Sequence, residues 1–179
     1  MTTDFQVPPE VSFQGAISLT QILLTEIDQL EPAALEANVA ALVATMNGAR
    51  GFFVTFLTNE FELAQEQEDA IATALRTAPD TIAGLLVKNL VMSTAMTLTH
   101  SRQNHPDMVQ QSQLTKERTA TIINLLKLPA VDQEAQQLWQ SLTTDTGSYT
   151  EFLQKWGYDT EQKQAMQTAM SDTFPGLQA

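Results

Sequence analysis

The chain has no cysteine, two histidines, seven glycines and only nine lysines and arginines in 179 residues. Each scarcity excludes something. Without cysteine there are no disulfides, thiolate zinc sites, iron–sulfur clusters or cysteine nucleophiles, and the composition suits a reducing compartment. Nine basic residues against 21 acidic ones leave a net charge of −12. Such a chain repels the phosphate backbone that nucleic-acid-binding proteins neutralise with clustered Lys and Arg. Only Lys116 and Arg118 lie within two residues of one another, and Glu117 sits between them. Nucleic acid and anionic membrane surfaces are therefore excluded as expected partners. The opening MTTDFQVPPE has no basic segment leading into an apolar one, as a secretory signal needs, so the expected location is cytoplasmic.

Long apolar runs are also scarce. The one that matters is Thr81 to His100, TIAGLLVKNLVMSTAMTLTH, with Lys88 and Asn89 in its middle. Its apolar part, Ile82 to Leu98, makes about 26 Å of helix, marginal for a bilayer core. A central Lys and Asn add several kcal/mol to the cost of insertion, and no aromatic belt or positive cluster flanks the segment. A helix apolar nearly all round is instead expected to be a core axis, here over about residues 81–103.

What is abundant is helical periodicity. Residues 1–12, with Pro8 and Pro9, read as an extended tail or strap, and Ser12 as a cap. Phe13, Ile17, Leu24 and Ile27 recur at helical spacing to about Leu30, where Pro32 opens the next helix. Leu35, Val39, Leu42, Val43 and Met46 mark that helix, which Asn47-Gly48 is expected to stop; the short link predicts an antiparallel hairpin of the two. GARGFFVTFLTN, residues 48–59, has strand-like composition but no partner strand anywhere in the chain, so it is read as a short buried helix.

Further helices are expected over about Asp69 to Thr77, from the Pro79-Asp80 corner with Asp80 as N-cap, and from Pro106 to Leu128 with Leu114, Thr121, Ile122, Leu125 and Leu128 inward. Val131, Ala135, Leu138, Trp139 and Leu142 give another stripe. Ser148 and Glu151 fit a capping box before Phe152, Leu153 and Trp156, with Gly157 as the stop; a last helix from Asp159 turns Met166, Met170 and Phe174 inward. The expected fold is all-α: a compact single-domain bundle of about seven or eight helices over 13–175, around the central apolar helix, with a short tail at 176–179.

Three groups of residues are candidates for chemistry. Lys88 and Asn89 sit among apolar neighbours, and a buried ammonium needs a carboxylate or must lose its proton. Lys88, Asn89, Ser93 and Thr97 could line an interior pocket for an apolar or anionic small molecule; equally, the lysine stem could cross apolar surface and place its amine in water. His100, Arg102 and His105 form a corner that could bind an anion or respond to pH, and His100 and Arg102 also suit the negative end of a helix. Two histidines five apart do not share a helix face, so no metal site is expected. In Asn47-Gly48-Ala49-Arg50-Gly51, backbone amides and Arg50 could meet an anion, but no Walker or dinucleotide pattern is present. A helix cap followed by a close helix approach, with Arg50 paired to a nearby Glu, accounts for the segment more simply.

No Ser, His and carboxylate pattern, no G-x-S-x-G elbow and no cofactor motif occurs, so no catalytic residue and no cofactor is assigned. Acidic residues cluster at Glu26, Asp28, Glu31 and Glu36 and again at Glu60, Glu62, Glu66, Glu68 and Asp69. The functional expectation is a non-enzymatic protein-binding factor, an adaptor, assembly or regulatory protein, presenting acidic helical faces to a basic protein partner. The alternative is a small-molecule sensor or carrier with a pocket near Lys88 and Asn89.

Overall fold

The computed structural model describes residues 5–177. Residues 1–4 of the expected N-terminal strap and residues 178–179 of the expected C-terminal tail lie outside the described residues. Among those described there are nine α-helices, one short 3₁₀ turn and no strand, so the fold is all-α with one or two more helices than the periodicity suggested. The Cα positions cluster into two compact units, 1–82 and 83–179, with the boundary in the first turn of the long central helix.

The first unit holds α1 (Phe13–Thr25), the 3₁₀ turn (Ile27–Gln29), α2 (Pro32–Val43), α3 (Met46–Thr58) and α4 (Gln65–Leu75). Ser12 caps α1 as expected, its Oγ accepting from the Gly15 N–H at 3.0 Å. Leu35, Val39, Leu42 and Val43 are buried, as their spacing required, whereas Met46, expected on the same face, is exposed and opens the next helix. The expected stop at Asn47-Gly48 is corrected: α2 ends at Val43, and Thr45 caps a new helix by accepting from the Gly48 N–H at 3.1 Å. A threonine in extended conformation there satisfies an orphan N–H, so Asn47 and Gly48 fall inside the first turn of α3.

The expected α1–α2 hairpin is also corrected. The main partner of α1 is α3, and the main partner of α2 is α4. Gly51 makes the α1–α3 approach possible: a Cβ at that position would lie 2.4 Å from Ala16 Cβ and 2.9 Å from the backbone of Phe13 and Ile17. Residues 48–59 are helical, as read, because a helix satisfies its own backbone where a lone strand could not. Phe52, Phe53 and Phe56 are buried on its inner face. Phe52 stacks on Phe56 with centroids 5.0 Å apart and meets Phe53 edge-on at 5.3 Å; each such ring contributes about 2–3 kcal/mol by burial.

The second unit comprises α5 (Pro79–Arg102) from Ala83 onward, then α6 (Pro106–Leu126), α7 (Pro129–Thr144), α8 (Thr150–Trp156) and α9 (Thr160–Thr173). Leu86, Val87, Leu90, Val91 and Ala95 of α5 are buried, consistent with a core axis. By length and composition α5 is the one described helix able to cross a membrane, yet half of its apolar window is buried within the protein. Gln162 ties α9 to α5, donating to Ala95 O at 3.3 Å and Thr99 Oγ1 at 3.0 Å, and Gln167 ties α9 to α7 through Leu142 O at 3.2 Å. Met166 and Met170 are fully buried.

Three local expectations fail here. In α6 the buried positions are Thr119, Ile122, Ile123 and Leu126, while Thr121 and Leu125 face outward; Lys127 in the left-handed region ends the helix early and leaves Leu128 to precede α7. Pro79, not a residue after Asp80, opens α5, so Asp80 lies in its first turn. Ser148 does not cap α8, because its hydroxyl donates to Gln137 Oε1 at 2.9 Å instead.

Candidate functional site

Charge divides unevenly between the units. Residues 1–82 carry twelve acidic and two basic side chains, and residues 83–179 carry nine and seven. The first unit therefore holds −10 of the total charge of −12. Within it, the two acidic clusters come from segments far apart in sequence and are joined at one residue. Gln67 Nε2 donates to Ile27 O at 3.1 Å, and Gln67 Oε1 accepts from the Ala64 N–H at 2.8 Å. Glu66 and Glu68 flank Gln67, and Glu26 and Asp28 flank Ile27, so the hydrogen bond brings the two acidic segments together. Asp28, Glu31, Glu60, Glu62, Glu66 and Glu68 are exposed, and none is in an ion pair among the described residues. Glu66 and Glu68 also lie in the first turn of α4, where the helix dipole favours them.

Arg50, one of the two bases of this unit, is exposed and stands 5.0 Å over the Phe13 ring. The expectation that it pairs with a glutamate is corrected: the α1–α3 approach at Gly51 brings Phe13 within its reach, and the guanidinium stacks on that ring.

In the second unit Lys88 is half-buried on α5, with its ammonium 5.6 Å from the ring centroids of both Tyr149 and Phe152. It has no carboxylate at ion-pair distance among the described residues. Beside it a cleft of about 420 Å³, lined among others by Glu134, Gln137, Tyr149, Lys155 and Trp156, opens to the surface. Of the residues expected to share a pocket with Lys88, Asn89 and Ser93 do not line this cleft. Ser93 turns its hydroxyl back onto Asn89 O at 2.6 Å and Thr97 onto Ser93 O at 2.9 Å, satisfying them within their own helix. The Tyr149 hydroxyl donates to the Glu134 carboxylate. Burial first, and that bond second, hold the phenol well above its ordinary pKa.

The third candidate group separates into unlike roles. His100 is buried, with Nδ1 lacking a hydrogen-bond partner among the described residues, while His105 is exposed on the turn before α6. Arg102 binds Asp159 Oδ2 at 2.6 Å and also the Glu161 carboxylate. The hydrogen bond from Arg102 is the main cause holding the Asp159 carboxyl below its usual pKa. An anion-binding corner at Arg102 is thereby corrected: the guanidinium is already neutralised by two carboxylates from the start of α9. Among the described residues no three His, Asp or Glu side chains are grouped to hold a metal ion.

Sequence reasoning missed Gln67, Glu134, Tyr149 and Trp156. The aromatic spacing of Tyr149, Phe152 and Trp156, at i, i+3 and i+7, was a usable sign of one helix face; nothing local marked Gln67.

The chain belongs to the family described as uncharacterised conserved protein UCP020893, whose model matches residues 12–173 and so runs through both units. No curated protein and no solved structure matches the chain.

Proposed function

We propose that the protein is a non-enzymatic binding factor that docks a basic protein partner on the acidic surface of its first unit. The observation that carries this reading is the joining of two acidic clusters through Gln67 and Ile27, in a unit with ten more acidic than basic residues. Holding like charges side by side costs stability, and a complementary basic surface recovers it while speeding encounter. The exposed carboxylates Asp28, Glu31, Glu66 and Glu68 supply the contact, and Gln67 keeps the two segments in register.

The test is affinity capture from native lysate of the protein's own source at low salt, with the captured subunit identified by mass spectrometry. The combined variant Asp28→Asn, Glu31→Gln, Glu66→Gln, Glu68→Gln removes four charges without altering volume. A basic subunit held by the native chain, released by about 0.5 M salt and absent with the variant, supports the reading. A subunit held equally by both chains, or no subunit from the native chain, contradicts it.

A further inference from the structure

A second site of different chemistry lies in the second unit, and it does not depend on the docking surface. We infer that the cleft beside Lys88 binds a small carboxylic acid with a flat, apolar body.

Two cations, Lys88 and Lys155, and two carboxylates, Glu134 and Glu151, line the cleft, and Lys88 is in no ion pair among the described residues. Glu134 already accepts from the Tyr149 hydroxyl. Glu151 and Lys155 are one helical turn apart on α8, in the order that lets a glutamate and a lysine offset one another. Lys88 is left facing two rings. The quadrupoles of Tyr149 and Phe152 hold its ammonium in place at 5.6 Å from each centroid, but ring faces do not accept N–H hydrogen bonds as strongly as a carboxylate does. Gln137 adds a second donor: its Oε1 is taken by Ser148 at 2.9 Å, which fixes the amide, and its nitrogen has no acceptor among the described residues.

The apolar half of the ligand follows from Trp156. Its side chain is 54% exposed at the rim of the cleft, the most exposed of the large apolar residues described, and no other described ring packs on it. With Phe152 one turn earlier, the indole gives a flat body a surface to stack on. A volume of about 420 Å³ is ample for a bicyclic acid.

The test uses the full chain with 2-naphthoate as probe, its neutral counterpart 2-naphthylmethanol, and inorganic phosphate. Binding is read from the Trp156 indole N–H in nitrogen-edited NMR, with Trp139 as internal reference. 2-Naphthoate is expected to saturate the Trp156 shift, to bind about tenfold more weakly to Lys88→Met, and to bind about threefold to tenfold more weakly to Trp156→Ala. Trp156 is exposed, so the second variant, followed on the naphthyl proton shifts of the probe, leaves the fold intact. No saturable shift in the native chain overturns the inference. So does unchanged affinity in Lys88→Met, or an alcohol that binds as well as the acid. Phosphate binding as tightly as 2-naphthoate overturns the flat, apolar part.

Discussion

The side chain of Gln67 reaches the carbonyl of Ile27, forty residues earlier, with its Nε2 at 3.1 Å, while its Oε1 accepts from the Ala64 N–H at 2.8 Å. One amide thus closes the first turn of α4 and anchors it to the 3₁₀ turn after α1. The bond joins chain segments whose other residues repel. Glu66 and Glu68 stand on one side of it, Glu26 and Asp28 on the other.

Gln67→Ala removes both bonds, and about 1–3 kcal/mol of stability is expected to go with them. Gln67→Glu is more informative. It keeps an oxygen for Ala64, loses the donor to Ile27 and adds a carboxylate to a crowded surface. Urea unfolding should show it destabilised near neutral pH and largely restored by salt, which screens exposed charges.

Gly51→Ala is expected to destabilise by about 1–3 kcal/mol, although alanine in a helix interior ordinarily gains about 1 kcal/mol over glycine. The contact decides the sign: the new methyl would lie 2.4 Å from Ala16 Cβ and 2.9 Å from two backbone atoms of α1, none of which can swing aside. Gly176→Ala, which meets nothing within 4 Å, should stay within about 0.5 kcal/mol of the native chain by thermal or urea unfolding.

Much of the architecture was legible in the sequence, for physical reasons that differ by element. α9 buries the positions its spacing named, and α2 and α7 bury most of theirs, because a single apolar stripe leaves one way to face a core; Met46 of the α2 stripe is instead exposed in α3, and Trp139 of the α7 stripe is half-buried. α6 did not, since its apolar residues spread over more than one face and packing chose Ile122, Ile123 and Leu126 over Leu125. The α1–α3 pairing was hidden because it depends on Gly51 meeting Ala16, a long-range fit that no local pattern reports. Lys88 was legible as an anomaly, but its surroundings were not: Glu134, Tyr149 and Trp156 come from elements whose packing had to be known first. Arg102 was visible as a helix-end cation, whereas the carboxylates that occupy it begin at Asp159.

Acid should weaken the link between α5 and α9. The Asp159 carboxyl, held low chiefly by Arg102 and also by the backbone N–H of Gln162, contributes stability above its ordinary pKa of about 3.9 and loses it as pH falls through the depressed value. Asp159→Asn retains an acceptor for the cap at Gln162 and loses the charge, so its stability curve should fall less steeply on the acid side. Asp159→Ala loses the cap as well and should be the weaker of the two at neutral pH. Both carboxylates are exposed, so salt should narrow the difference between the native chain and Asp159→Asn.

Both tyrosines should resist ionisation. Burial raises Tyr158 to about 12, and burial together with the Glu134 bond raises Tyr149 further. Phenolate absorbance should therefore stay flat through a pH of about 10, where free tyrosine titrates. Raised values stabilise the folded state below that pH, and the contribution fades as pH climbs toward about 12. Tyr149→Phe leaves the half-buried Glu134 without its donor and should cost about 1–3 kcal/mol at neutral pH in urea unfolding.

The central claim is that the acidic surface of the first unit is where a partner docks, and amide hydrogen exchange of the chain with and without its captured partner tests it most directly. Slowed exchange on binding is expected over residues 26–36 and 60–69, with α8 unchanged. Protection confined to the second unit, or spread evenly over both, would contradict the account.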